Sequence, residues 1–290
     1  MKYCLVSACL SAWFAVFTCG PTKTARGQEK PPAKQAGLPE RGICAHRGAV
    51  STHPENTLPA FREAIRLGAH MIEFDVHLSR DGQLVVIHDS TVDRTTNGSG
   101  KVAELTFIDL RGLDAGSWKD ARFQNERIPT LAETLRVMPE NIWLNVHLKG
   151  GADLGEAVAR EVVTHRRQHQ SFLACSKAAA AAARRAAPDV LICNMDGQRG
   201  GREYVDATLA MRAEFLQFLR TPVEREWVAL LDENQVRSNY CCTDDAKLIR
   251  KLLETGVGFV LVDRVDEAMA VAAKAGVKPL VPVFRPRGGK

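Results

Sequence analysis

At 290 residues, with 45% hydrophobic and 25% charged positions, the chain is long enough for one large core and lacks the low hydrophobicity of a disordered protein. Its formal charge of +5 drops by three, to +2, when residues 1–27 are set aside, because that segment carries Lys2, Lys23 and Arg26 and no acid. A nearly neutral remainder with no clustered basic face excludes a nucleic-acid binder.

Lys2 precedes an apolar or small run over residues 4–17, and the first acid is Glu29. This outline predicts an export signal over residues 1–27 and a periplasmic or extracellular protein. Ala25-Arg26-Gly27 offers small residues at the two positions a signal peptidase reads, so cleavage is expected after Gly27. The run is too short for a stable membrane span. Lipid attachment at Cys19 is the weaker alternative, since Val16-Phe17-Thr18 departs from the small-residue motif such processing needs. Residues 28–40, with Pro31, Pro32 and Pro39 among Lys, Gln and Gly, predict a flexible tether, and a barrel domain is expected over residues 41–290.

From residue 42 onward, strand-like and helix-like segments alternate. Strands are expected at 42–47, 71–78, 83–88, 142–148, 172–175, 190–194, 215–219, 236–240 and 258–262, and helices among others at 56–67, 153–167, 178–183, 224–231 and 245–254. Asn56 reads as the cap of the first helix, Pro59 as a tolerated first-turn residue and Gly68 as the stop. Such alternation calls for a parallel sheet, and so many repeats favour closure into an α/β fold, the (β/α)8 TIM barrel. Nine strands stand where eight are expected. Residues 79–82 are too few for a crossover helix, so the third strand is read as a local departure near the site. Residues 89–129, rich in turn residues, form a long insertion after the strand that bears His88-Asp89, the kind of loop that builds a pocket at the C-terminal face of a barrel.

Beyond the signal the cysteines are Cys44, Cys175, Cys193, Cys241 and Cys242. The first three fall inside strands, where cysteine behaves as a small apolar residue, and with no CxxC pair no zinc-thiolate site is expected. Cys241 and Cys242 are adjacent, a poor geometry for bonding to each other; disulfides otherwise stay open.

Four strand ends carry polar residues that a buried strand avoids: His46-Arg47-Gly48, Glu73-Phe74-Asp75, His88-Asp89 and His147-Leu148-Lys149. Side chains alternate along a strand, so Glu73 and Asp75 share a face, as do His147 and Lys149, and a barrel can aim them all at one mouth. Two carboxylates so placed repel unless a cation lies between them, and a divalent hard metal meets that need.

Those residues and their neighbours resemble the glycerophosphodiester phosphodiesterase family. The matching stretches are Ala45-His46-Arg47-Gly48, Pro54-Glu55-Asn56-Thr57, Glu73-Phe74-Asp75-Val76, the run from Asp81-Gly82 to His88-Asp89, Asp93-Arg94-Thr95-Thr96, Leu113-Asp114-Ala115-Gly116-Ser117-Trp118 and Ile128-Pro129-Thr130-Leu131. They occur in family order over about residues 43–150. The resemblance implies His46 and His88 as general acid and base, a Ca2+ or Mg2+ cofactor on Glu73, Asp75 and the residue at 147, and Arg47, Glu55 and Lys149 lining the pocket of a small-molecule phosphodiester. It also implies attack of a glycerol hydroxyl on phosphorus, a cyclic phosphate, and its opening by water to glycerol phosphate.

Two departures stand out. The family's third metal ligand is glutamate two residues before lysine, where this chain has His147 before Lys149; imidazole is neutral and softer, which weakens hard-cation binding and brings in a transition metal. It also leaves open that His147 binds no metal and that the barrel is a non-catalytic binder. A late strand that often presents tryptophan has only Tyr240, so a lysophospholipid or phosphosugar stays open as substrate. His53, His70, His165 and His169 are read as hydrogen-bonded structural residues, and His77 as a loop residue without a role.

Overall fold

The computed structural model describes Met1 and residues 37–285, so the expected signal and most of the tether lie outside the described residues. Of two compact units, Gly37–Lys290 carries the fold. Its strands are β1 (Gly42–Ala45), β2 (Met71–Leu78), β3 (Leu84–Val86), β4 (Trp143–Leu148), β5 (Ser171–Cys175), β6 (Leu191–Asn194), β7 (Phe215–Leu219), β8 (Arg237–Cys241) and β9 (Phe259–Val262). Between and after them lie α1 (Leu58–Arg66), α2 (Phe107–Gly112), α3 (Leu131–Val137), α4 (Ala152–Thr164), α5 (Lys177–Ala186), α6 (Arg202–Met211), α7 (Arg225–Glu233), α8 (Ala246–Thr255) and α9 (Val265–Lys274).

The order β1-β9-β8-β7-β6-β5-β4-β2, with β1 also bonded to β2, closes a ring of eight parallel strands. The ninth, β3, lies antiparallel on β2 in the register His77↔Val85. The five-residue link 79–83 allows a hairpin but no crossover, and Gly82 at φ +81° makes the turn. The TIM barrel is therefore present, with the extra strand where the sequence placed its departure.

Alternation along the strands sorts residues into two layers. Cys44, Met71, Trp143, Phe172, Phe215 and Phe259 fill the interior, with the Phe172 and Phe215 rings stacked 3.8 Å apart and Trp143 edge-on to Phe215. Ile43, Ile72, Phe74, Val146 and Leu173 pack outward against the helices. Pro39 accepts a hydrogen bond from the Trp143 indole, and the Arg237 guanidinium lies 5.0 Å from that ring. Aromatic bulk thus fills one layer of the interior, buried amides such as Asn145 and Gln217 pair with each other above it, and Glu73, Asp75 and His147 lie further toward the C-terminal ends of β2 and β4.

Local chemistry accounts for several helix boundaries. Thr130 caps α3 in a reciprocal box with Glu133, which explains part of the Ile128-Pro129-Thr130-Leu131 stretch. Asp245 caps α8 and Gly256 ends it in the left-handed region. For α1 the reading needs correction: Thr57, not Asn56, is the cap position, and Asn56 sits at φ +57° with its side chain turned to β2. Helix α6 follows Gly201, which supplies no side-chain cap, and it ends at Arg212 in the left-handed region.

The insertion over residues 89–129 has a small core of its own, including Val92, Val102, Leu110 and Ile128. Asp114 organises it by accepting from the backbone of Gly116, Ser117 and Asn125. Burial favours the neutral acid, yet those N–H groups prevail and hold its carboxyl well below the usual range. Among the described residues no helix is long and apolar enough to cross a membrane.

Candidate active site

The turn after β1 sets the first group in place. Arg47 adopts φ +58°, and its backbone N–H donates to Glu73 Oε2 at 3.0 Å, so the backbone that presents His46 is fastened to β2. Two residues further along β2, Asp75 is fully buried. Parallel pairing sets Asp75 opposite His147 on β4, and one turn of the pleat carries Lys149 to the same side.

The resulting cluster is tightly balanced. His147 Nδ1 lies 3.1 Å from Asp75 Oδ1 and 3.5 Å from Glu73 Oε1, while Lys149 Nζ is 3.1 Å from Asp75 Oδ1. Burial would push the Asp75 carboxyl up, but His147 and Lys149 outweigh it and hold the group ionised. Burial pushes His147 down and the two acids more than reverse it, raising its pKa. Ligand atoms of Glu73, Asp75 and His147 all lie within 4.8 Å of one another. Asp75 Oδ1 is buried and, despite its ion pairs, accepts no well-directed hydrogen bond among the described residues. A buried anionic oxygen with lone pairs to spare, beside a second carboxylate and an imidazole, fits a divalent cation with a mixed oxygen and nitrogen donor set.

Asn56, read from sequence as a cap, belongs to this site. Its amide donates to Asp75 Oδ2 at 2.9 Å and its carbonyl accepts from the Asp75 N–H at 3.2 Å, so one side chain fixes both the backbone and the carboxylate. Asn56→Ala would leave a buried donor and a buried carboxylate oxygen unpaired, and is expected to cost about 1–3 kcal/mol of stability. Thermal denaturation measures this; an unchanged midpoint would show that water replaces the amide without loss.

Each histidine is held by a carboxylate through the same nitrogen. His46 Nδ1 is 2.8 Å from Asp263, which directly follows β9, the strand beside β1. His88 Nδ1 is 2.6 Å from Asp89. Nδ1 on a carboxylate leaves Nε2 of both rings for other work. For His46, burial depresses the pKa, and the Asp263 hydrogen bond with the Glu73 charge raises it overall. The sequence assigns Asp263 no role beyond following the Gly256–Val260 stretch that weakly fits the family, although an acid directly after a buried strand is the same signal that singles out the others.

Charged side chains tie the insertion to this mouth. Arg94 forks onto Glu55 at 2.8 and 2.9 Å and reaches Asp89 at 2.6 Å, while Arg47 reaches the same Glu55 at 2.9 Å. Burial raises the Glu55 carboxyl, and the two arginines more than compensate, keeping it ionised. Arg94 therefore supports the partner of His88, and Glu55 braces Arg47. His77 lies within β2 rather than in a loop, and its Nε2 contacts the His88 carbonyl at 3.1 Å, steadying the hairpin. His53, His70, His165 and His169 each bond a local partner away from this cluster.

Cys44, Cys175 and Cys193 are free and buried. The adjacent pair departs from expectation: Cys241 and Cys242 are joined by a disulfide. Cys241 is the last residue of β8 and Cys242 the first beyond it. Cys242 Sγ lies 3.9 Å from His46 Nε2.

The chain spans about half the length of the curated relatives it matches. It is 45% identical over 122 residues to a glycerophosphodiester phosphodiesterase of Caldanaerobacter subterraneus, covering 42% of this chain and 50% of the relative. To human glycerophosphodiester phosphodiesterase 1 it is 33% identical over 179 residues, 60% of this chain and 52% of the relative. Among solved structures, a glycerophosphodiester phosphodiesterase from Agrobacterium tumefaciens superposes with a TM-score of 0.70 at 28% identity, covering 79% of this chain and 99% of that one. A phosphodiesterase from Oleispira antarctica, in complex with the product sn-glycerol-3-phosphate, gives 0.70 at 26% identity over 81% of this chain and 97% of that one. The sequence model of one family matches residues 46–193, half of the chain and every residue of the cluster except Asp263 and the disulfide. The chain belongs to the glycerophosphoryl diester phosphodiesterase family.

Proposed function

We propose that this protein hydrolyses glycerophosphodiesters to glycerol phosphate and an alcohol, using a divalent metal ion and proton transfer by His46 and His88. The observation that carries the reading is the pairing of two carboxylate-held imidazoles with a buried acid pair at one mouth of the barrel. The product bound to the Oleispira antarctica relative supports the substrate class. One imidazole takes the proton of the attacking hydroxyl while the other delivers one to the departing alcohol, and Asp263 and Asp89 keep each ring in the tautomer that exposes Nε2. Glu73, Asp75 and His147 would hold the metal, which would supply positive charge for the phosphoryl oxygens. Arg47 and Lys149 add fixed positive charge beside it, and Glu55 with Arg94 braces Arg47 and Asp89 so that little reorganisation is needed. Export rests on residues 1–27 alone, which also support a site of action outside the cytoplasm.

The test is an assay of the purified chain with glycerophosphocholine, a lysophospholipid and a phosphosugar diester, each with Mg2+, Ca2+ and Mn2+. Release of glycerol phosphate, fastest from the glycerophosphodiester, is expected. Turnover of only another diester would move the substrate class, and no turnover with any metal would sink the reading.

A further inference from the structure

A second group of metal-ligand atoms lies at the same mouth, separate from the acid pair: those of His46, Cys241 and Cys242 all fall within 4.8 Å of one another. The donor set is different in kind. Glu73 and Asp75 offer hard oxygens, whereas two sulfurs and an imidazole nitrogen suit a thiophilic cation of the zinc class. We propose that reduction of the Cys241–Cys242 disulfide opens a soft-metal site formed by both thiolates and His46 Nε2.

Three features support the assignment. The His46 ring is already posed as a ligand, since its Nδ1 is held 2.8 Å from the Asp263 carboxylate, the outer support that metal-binding histidines ordinarily carry. Its other nitrogen faces sulfur: Nε2 is 3.9 Å from Cys242 Sγ. With metal–sulfur bonds of about 2.3 Å and metal–nitrogen bonds of about 2.0–2.1 Å, tetrahedral geometry sets ligand S and N roughly 3.6 Å apart, close to the distance already present, while reduction must let the two sulfurs part to roughly 3.8 Å. Finally, Cys242 and His46 are half-buried rather than sealed in the core, which gives an ion and solvent a path and leaves room for a fourth ligand. Cys44, Cys175 and Cys193 have no such access.

The chemistry balances with one reductant. A small dithiol gives two electrons and two protons, its own disulfide forms, and the Cys241–Cys242 bond becomes two thiols. Binding of a divalent cation then displaces both thiol protons and leaves a neutral dithiolate centre on His46. Oxidation by an acceptor of two electrons expels the ion and restores the disulfide, so occupancy follows redox state. The site shares His46 with the proposed reaction, but its test does not rest on that reaction, because the site is detected by binding.

The experiment uses the full chain with Cys4, Cys9 and Cys19 replaced by serine, so that only the barrel cysteines remain. Reduced and oxidised forms are titrated anaerobically with Cd2+, and thiolate-to-cadmium charge transfer is followed in the near ultraviolet. The charge-transfer band is expected to saturate at one thiolate-bound Cd2+ per reduced chain, apart from any ion on the acid pair, with no such band in the oxidised form. Cys242→Ser should lose at least tenfold in affinity, and His46→Ala should weaken it while Asp75→Asn leaves the band in place. X-ray absorption of the zinc-loaded reduced protein should show two sulfurs around the metal, a result that needs no variant to fold. A zinc shell without sulfur, or a cadmium band undiminished in the Cys241→Ser, Cys242→Ser double variant, would overturn the proposal.

Discussion

Replacing His46 or His88 by alanine is expected to lower kcat with glycerophosphocholine by about 10²–10⁴-fold, the usual worth of a general acid or base. Both rings sit at a solvent-reachable mouth, with side chains 17% and 30% exposed, so truncation removes little packing and the fold should survive. If the two imidazoles serve one proton cycle, their losses do not add: the double variant should fall little below the worse single one, because a cycle broken at one step gains nothing from the other. Asp263→Asn offers a graded version. It keeps the shape but removes the charge that favours the His46 tautomer, so kcat should fall while KM holds. Steady-state kinetics of the four variants decides the matter. Wild-type rates in either alanine variant would remove that histidine from the mechanism.

The barrel was legible because its code is local: alternating periods of two and 3.6 residues, with polar residues at strand ends where a buried strand has no use for them. His46, Glu73, Asp75, His88, His147 and Lys149 were all read from those ends, and the parallel register Asp75↔His147 brings the last pair together as alternation requires. What escaped was set by contacts between distant segments. Asn56 has the residue type and position of a cap, and only the approach of α1 to β2 reveals that its amide is committed to Asp75. Asp263 gains meaning from closure of the ring, which sets β9 beside β1. His77 lies in the right alternation, and its partner is the His88 carbonyl just past the antiparallel strand; that strand is expected from the sequence, but its pairing back onto β2 is set by the folded hairpin. Adjacency makes Cys241 and Cys242 poor candidates for bonding to each other, yet the two are joined where β8 ends.

The acid pair carries the second large effect. Chelation of the wild-type protein is expected to abolish turnover, and Mg2+, Ca2+ or Mn2+ to restore it, because the fixed charges on hand are already spent: Lys149 and His147 neutralise Asp75, and Arg47 is engaged with Glu55. Little free positive charge is left for a phosphoryl group unless a cation is added. Asp75→Asn keeps the volume but removes the anion, and should cost about 3 kcal/mol or more of transition-state stabilisation, roughly a 10²-fold loss or greater. Since Arg47, His147 and Lys149 would then share Glu73 as the one buried counter-charge left beside them, part of the damage should fall on stability, which thermal denaturation separates from kinetics. His147→Glu changes the site in the opposite sense, adding a third carboxylate that should tighten Mg2+ and Ca2+ by tenfold or more and shift preference away from softer ions. Isothermal titration of the three proteins with each metal reads these affinities directly. If Asp75→Asn binds and turns over like the wild type, or if chelation leaves the rate untouched, the acid pair is an ion-paired support for the barrel mouth and the phosphoryl charge is met by arginine and lysine alone.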